Sequence, residues 1–464
     1  MKIFKIFFII LFILAISTSA IFFNFTPKAV SEIDNRMLAE NPFTSDIEGD
    51  LTKNIENYIN DRIGFRDEMI LSYTVLNDKL FNKMVHPSYT YGKDGYVFGA
   101  GLTTEGEFSD YHILFADMIE QQQEYCNNHG IPFLFVFNPA KPAVLTEYIP
   151  KGKLYSRDWV DKFFDELDKR NINYVDNTKT LKEMKNSGVV VFNQKYDANH
   201  WNDFGAYYGT NKILEAMKQI FPKLQLNKLE EFIVGEEIKT SLPVSNFPIK
   251  ESVPLISINY SFVDNSSIYY KELELHPSYK GFGSFVNESR KKEGAPSALV
   301  FQGSYMNVFG YKYFINAFSE YTHVHDYQNV LDMPYYINIF KPDCVIFEVA
   351  EYTFSNGYFS YEKMKNINYN KPLAFFEDCD VLESSVNDSE ITIQKGEGLT
   401  KIKWNTNIEA EYAWLLMDDE YDMKKIDGGY EVTIKSEMYQ EKHDTIMFIT
   451  YKDNVITYYN LINN

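Results

Sequence analysis

Short apolar runs alternating with longer amphipathic stretches are the feature that most limits what this chain can fold into. "FLFVF" (133–137) is apolar throughout and rich in aromatic and β-branched residues. That is the composition of a central parallel strand covered on both faces. "INYVD" (172–176), "VVVFN" (189–193), "SALVFQ" (297–302) and "DCVIFEV" (343–349) read as further strands. Helical spacing fills the intervals from about Glu105 to Asn128, closed by Gly130, around Trp159–Arg170, and after "HWNDFGAYYG" to about Ile220. Strands alternating with helices predict an α/β sandwich around a mainly parallel sheet, with sites at the carboxyl ends of its strands.

The flanks read differently. Lys2 and Lys5 precede an apolar run from Ile6 to Phe23, 18 residues without a charge. Such a run is long enough to span a membrane as a helix. Thr18 and Ala20 offer a small-residue cleavage site, but the run continues past them, which favours a retained anchor over a cleaved signal peptide. Either way residues 1–29 direct export of residues 30–464, with a cytoplasmic N-terminus in the anchored case. Residues 30–80 carry helical patterns and are expected as a helical lead-in. The main α/β domain is expected over 81–375, with 222–290 as an insertion where the alternation breaks. Residues 385–464 hold "EITIQ", "TKIKW", "EYAWLLM", "YEVTIK", "DTIMFITY" and "VITYYNL", short strands at near-regular spacing that predict a small β-sandwich.

Composition excludes some chemistry. The net charge of −20 repels phosphate backbones, so nucleic acid is not an expected partner. Cys126, Cys344 and Cys379 are too scattered for a disulfide framework or a zinc-binding set. His323 and His325 share a face if "THVHD" is a strand, but no third ligand accompanies them, and no metal site is expected. No stretch reads as a nucleotide site, so no cofactor is expected.

Two places carry reactive chemistry. In "YDANHWNDFGAYYG" (196–209), Asp197 stands three residues before His200, where its carboxylate can hold the imidazole Nδ1 and leave Nε2 free as a base. A helix-capping Asp and a structural His would give the same letters. In "ALVFQGSY" an apolar strand runs into Gly303-Ser304 with a helix to follow, a place where a hydroxyl is exposed beside free N–H groups. An ordinary N-cap serine is the alternative. Gly303 is expected to permit a sharp turn. Asn138 and Lys141, after the strand at 133–137, are candidates for an oxyanion donor and a cleft cation. Tyr305 is a candidate for the cleft or the core. Trp201 is expected to bury against the helix beginning near Gly205.

The two blocks "YDANHWNDFGAYYG" and "VFQGSY" resemble the SGNH-hydrolase-like domain of the alginate O-acetylation proteins and the related DHHW family. "SEIDNRMLAENPFTS", "YINDRIGFRD", "YGKDGYVF", "NPAKPAVLTEYIP" and "KPDCVIFEVAEY" follow in the same order, so the resemblance covers roughly residues 30–355. It implies an SGNH-like three-layer sandwich, and a catalytic triad of Ser304, His200 and Asp197. It also implies a reaction in which an acetyl group passes through the serine onto a cell-surface polysaccharide. By the same resemblance the donor partner would be a membrane-bound O-acyltransferase. Two departures stand out. Two residues rather than one separate Asp197 from His200, and Gln302 precedes Gly303-Ser304, so an oxyanion hole built differently is expected. A carbohydrate acetylesterase would use the same triad, and a non-catalytic polysaccharide-binding scaffold is the rival of another class.

Overall fold

A computed structural model describes residues 2–27, 29–31, 36–43, 50–81, 83–85, 88–99, 106–243, 247–439 and 446–462. At its centre lies a seven-stranded sheet. In chain order the strands are β1 (Phe133–Asn138), β2 (Tyr174–Asp176), β3 (Val263–Asp264), β4 (Phe282–Val286), β5 (Ser297–Gln302), β6 (Glu320–His325) and β7 (Cys344–Ala350). Their spatial order is 2-1-7-5-6-4-3. The pairings from β2 across to β6 are parallel, whereas β4 runs antiparallel to β6 and β3 antiparallel to β4.

Layering follows from side-chain alternation along these strands. Leu134 and Val136 of β1 and Ala298 and Val300 of β5 face a core that contains Trp201, Tyr305 and Tyr313. Phe133, Phe135 and Phe137, with Leu299 and Phe301, face the opposite core of Phe115, Phe163 and Tyr336. The helices Asp203–Lys218 and Tyr311–Ala317 cover the first face, and Asp110–Asn128 and Asp158–Lys169 the second. With both faces covered, β1 and β7 are buried at every position, which explains their mainly apolar sequence; the polar residues in them, Asn138 and Glu348, bond to each other.

The structure departs from the expected pattern at 189–193, which forms no strand. Val191 and Phe192 are buried, but the backbone here is claimed by Asn202: its N–H donates to the Val191 carbonyl at 3.0 Å and its side chain to the Val190 carbonyl at 2.7 Å. The segment closes back on the helix that Asn202 caps instead of adding to the sheet edge. The stretch 222–290, expected as an insertion, contains an antiparallel hairpin, Phe232–Ser241 with Pro248–Ile258, and also supplies β3 and β4 to the central sheet. The helix expected from Glu105 begins at Asp110; Glu105 itself lies outside the described residues, as do parts of "SEIDNRMLAENPFTS" and the first residues of "DTIMFITY".

Beyond the α/β part, a five-stranded and a four-stranded sheet built from residues 380–462 share one core, in which Ile402, Trp404 and Val432 meet Leu415, Phe448 and Tyr459. These sheets dock on the α/β part through specific bonds. The Glu272 carboxylate accepts the N–H groups of Glu397, Gly398 and Leu399, and Lys424 pairs with Asp332.

At the other end, Phe4–Ile21 is an apolar helical span of 18 residues with a mean hydropathy of 2.4, none of it buried. It is long enough to cross a membrane and has the character of an anchor or a signal sequence. The lead-in helices Leu51–Arg62 and Arg66–Phe81 grip the chain just beyond it. Buried Arg62 donates to the carbonyls of Asn24, Thr26 and Ala39, the Asn24 N–H donates to the Arg62 carbonyl, and the Gly64 N–H donates to the Ser19 carbonyl.

Candidate active site

Parallel strands deliver their carboxyl ends to one edge of the sheet. Directly beyond β5 come Gly303 and Ser304, where a helical segment begins and runs into Tyr311–Ala317. Beyond β7, next to β5, come Glu351 and Tyr352. The loop carrying Asp197 and His200 closes over this edge. Asp197 sits at a φ of 63°, in the left-handed region that Asp tolerates better than most residues. That conformation lets its Oδ1 accept the N–H groups of Asn199 and His200, each at 3.0 Å.

The side chains then form a line. His200 Nδ1 lies 2.9 and 2.8 Å from the two Asp197 carboxylate oxygens, so that nitrogen carries the proton and donates. His200 Nε2 is left as the acceptor and lies 2.7 Å from Ser304 Oγ. Burial acts to raise the Asp197 carboxyl, but the His200 imidazole and the two backbone N–H groups outweigh it and hold the group below its ordinary value. Asp197 therefore stays a carboxylate, the form that can orient and stabilise a charged imidazole.

Tyr352 is a member that sequence reasoning missed. Its hydroxyl lies 3.0 Å from Ser304 Oγ and 3.1 Å from His200 Nε2. Tyr352 is 37% exposed, so the ring borders solvent while its hydroxyl reaches the reactive pair. Burial of the hydroxyl, with Asp197 and Glu348 nearby, pushes it up against the opposing effect of the Ser304 bond, so it remains neutral and able to donate. The preceding residue, Glu351, is buried and accepts from the Ala140 N–H, the Tyr155 hydroxyl and the Arg157 guanidinium, which pins the turn that presents Tyr352. The available signal was its place at the end of the apolar run "CVIFEVAEY".

The other candidates support the site from behind. Gly303 has no positive φ, and its N–H donates to Glu348 Oε2 at 2.8 Å, so it is not offered to the cleft. Asn138 donates to Glu348 Oε1 and accepts from the Asn177 amide, and it is wholly buried. Lys141 is also buried, with its ammonium on the carbonyls of Val97, Gln194 and Asp197; it ties the Asp197 loop down rather than lining a cleft. Burial draws Lys141 down to about 7, against the pull of Asp197 and Glu251. The Tyr305 hydroxyl is shared between the Pro139 and Asn199 carbonyls, each at 2.7 Å, and the residue belongs to the core. None of these four groups is therefore placed to donate to a substrate. His323 and His325 both lie on β6, away from this line, and among the described residues no third metal ligand joins them.

Trp201 links the two halves of the site. It has no exposed surface, and its indole N–H donates to the Tyr305 carbonyl at 3.1 Å. It thereby ties the residue after His200 to the residue after Ser304. The helix Asp203–Lys218 passes against it through Gly205 and Gly209, at both of which a Cβ would collide with Trp201.

Residues 91–242 match the family described as the SGNH hydrolase-like domain of the acetyltransferase AlgX, which bears out the resemblance drawn from the sequence. Asp197 and His200 fall inside the matched stretch and Ser304 beyond it. Among solved structures, the O-acetyltransferase domain of Pseudomonas putida AlgJ is similar at 16% identity, covering 61% of this chain and 99% of its own, with a TM-score of 0.42. Bacillus cereus PatB1 is similar at 14% identity, covering 57% of this chain and 95% of its own, with a TM-score of 0.42. A DHHW family protein from Eubacterium siraeum is similar at 14% identity, covering 62% of this chain and 99% of its own, with a TM-score of 0.43. No curated protein matches the sequence.

Proposed function

We propose that this chain is an exported, membrane-anchored O-acetyltransferase that carries an acetyl group on Ser304 and hands it to a hydroxyl of a cell-surface polysaccharide. The observation that carries this reading is the unbroken line from Asp197 through His200 to Ser304, with 2.8 and 2.7 Å at its two links. The match of residues 91–242 to an acetyltransferase domain family supports the choice of acyl group.

Each step uses a group already in place. As Ser304 Oγ attacks the acetyl carbonyl, its proton passes to His200 Nε2, and Asp197 stabilises the imidazolium that results. When the tetrahedral intermediate collapses, the bond to the donor's oxygen breaks and that oxygen takes the proton from His200. The acceptor hydroxyl then gives its proton to His200 and attacks the acetyl-serine, and the bond to Ser304 Oγ breaks as the serine recovers its proton. The Ser304 N–H, at the start of the helical segment, is the donor we assign to the oxyanion, since Gly303 and Asn138 are engaged elsewhere. The neutral Tyr352 hydroxyl donates to Ser304 Oγ and directs the serine proton toward His200. Outside the cell the acetyl donor would be a membrane-bound O-acyltransferase rather than a soluble thioester. The domain limits 81–375 for catalysis and 385–464 for an accessory β-sandwich belong to the same proposal.

The test is turnover of a small acetyl ester by the full chain in detergent, with and without polysaccharide fragments as acceptors. Wild type should release the alcohol and acetylate the fragments, and Ser304→Ala should do neither while keeping its fold. Release without transfer would make the chain an acetylesterase. No release by folded wild type would leave a polysaccharide-binding scaffold.

A further inference from the structure

Where the helix Asp110–Asn128 ends, it meets the short strand Glu420–Asp422 of the C-terminal sheets, and three side chains converge that the chemistry above does not use. His129 Nδ1 lies 2.8 Å from the Tyr125 carbonyl. A carbonyl only accepts, so this nitrogen holds the proton and Nε2 keeps its lone pair. The Leu373 N–H donates to Glu420 Oε1 at 3.0 Å, and the Tyr125 hydroxyl donates to Asp422 Oδ2 at 2.6 Å. Each of the three is thus oriented through one atom, while a second donor atom is left over. The Asp422 side chain is only 7% exposed, and its Oδ1 is buried with no partner. Donor atoms from all three lie within 4.8 Å of one another, with His129 Nε2 4.0 Å from Asp422 Oδ2.

We propose that His129, Glu420 and Asp422 bind a zinc-like divalent cation that rivets the α/β part to the C-terminal sheets. Two carboxylates balance the charge of a dication, and an imidazole nitrogen selects a transition metal over calcium or magnesium, which take oxygen. Bonds of about 2.0–2.2 Å in a tetrahedral site put donor atoms about 3.3–3.6 Å apart, so the side chains need only close by small rotations. Hydrogen bonds from outside the site to each ligand are what fixes ligand orientation in such centres. Glu420 and Asp422, two apart on a strand, present the same face. The Lys341 ammonium is engaged by the Glu420 carbonyl and the Asp419 carboxylate. His129 is 20% exposed and gives the ion its way in.

The full chain in detergent, stripped with a chelator, dialysed against zinc chloride and then freed of excess metal, is assayed for bound zinc by mass spectrometry and for Tm. One equivalent of zinc per chain and a raised Tm are expected. His129→Ala and Glu420→Gln should each weaken zinc binding by more than the ~10–100-fold that loss of an outer hydrogen-bond partner costs, while Ser304→Ala keeps its zinc. Absence of bound zinc in wild type overturns the proposal. So does a full equivalent in both variants, which would put the ion elsewhere, and so does bound zinc that leaves Tm unchanged, which would remove the rivet. The wild-type measurement decides even if a variant does not fold.

Discussion

Replacing Gly209 by alanine asks whether Trp201 sets the spacing between His200 and Ser304. Gly209 lies within the helix Asp203–Lys218, on the side turned to the indole. A Cβ there would stand 2.2 Å from Trp201 Cζ3, 3.0 Å from Cη2 and 3.1 Å from Cε3, against the ~3.5–4.0 Å of a relaxed carbon contact. Two effects compete. Alanine favours a helix interior over glycine by about 0.8–1.0 kcal/mol. Overpacking a buried site costs about 1–3 kcal/mol, and sometimes more. The ring has little room to yield, because it has no exposed surface and its N–H is tied to the Tyr305 carbonyl. The upper part of the clash range therefore applies, and Gly209→Ala should lose about 1–2 kcal/mol net. The displaced ring pulls on His200 from one side and on the segment after Ser304 from the other. Misplacement of reacting groups by about 1 Å costs about 100-fold in rate. We therefore expect kcat on a small acetyl ester to fall by about 10–100-fold with KM little changed. Gly235→Ala, where a Cβ would meet nothing within 4 Å, is the control and should leave both properties as they are. Chemical unfolding and initial-rate kinetics read the outcome. A Gly209→Ala chain as stable as wild type with full kcat would mean that helix propensity prevails and that the indole is no wedge.

Asp197→Asn keeps a residue that tolerates the left-handed backbone but removes the carboxylate, so kcat should drop by about 10⁴ with the fold intact; a loss below tenfold would take Asp197 out of the orienting role. Tyr352→Phe removes one hydrogen bond to the reactive pair, on the order of 1 kcal/mol, so kcat should fall about fivefold at unchanged Tm, and equal kcat would refute a part for the hydroxyl. Burial raises the Glu348 carboxyl from 4.5 to about 8, with Asp326 adding to the rise. The folded state thus binds more protons than the unfolded one between those values: the stabilisation is full below 4.5 and lost as pH climbs through about 8, with a slope of up to about 1.4 kcal/mol per pH unit. Glu348→Gln should flatten that decline when urea unfolding is followed across the window, and an unchanged slope would contradict the assignment.

Residues whose surroundings are settled locally are the ones the sequence discloses. β1, β5 and β7 are legible because a strand covered on both faces is apolar along most of its length, and the buried polar groups it does carry, Asn138, Gln302 and Glu348, are bonded inside the fold. Residues 189–193 have the same apolar content and still form no strand, since pairing needs an available edge, and here the amide and side chain of Asn202 take the carbonyls first. Asp197 and His200 are legible because their bond spans three residues, and Ser304 because a strand, a glycine and a helix surround it. Tyr352 is not, because its part depends on β7 lying next to β5, a fact of topology. Lys141, expected in the cleft, misleads for the opposite reason, and Tyr305, readable as cleft or core, falls in the core through contacts of the same kind. Both stand near strand ends, but the carbonyls of Val97, Gln194 and Asp197 close over Lys141 and those of Pro139 and Asn199 over Tyr305, and none of those residues is a sequence neighbour of the group it holds.

The clasp formed by Arg62 and Gly64 removes slack. A flexible tether of n residues lets a domain roam about 5–6 Å × √n from its attachment. Here the chain is gripped at Ser19, Asn24 and Thr26, where the apolar helix ends, so there is no such tether to pay out. With that helix in a bilayer, as the proposed function has it, the lead-in helices would follow its tilt, and the height of Ser304 above the lipid would be set by packing more than by a slack linker. If the acceptor is the polysaccharide proposed above, encounter would be a search near one altitude, and the hydroxyls within reach would be those where a glycan strand crosses it.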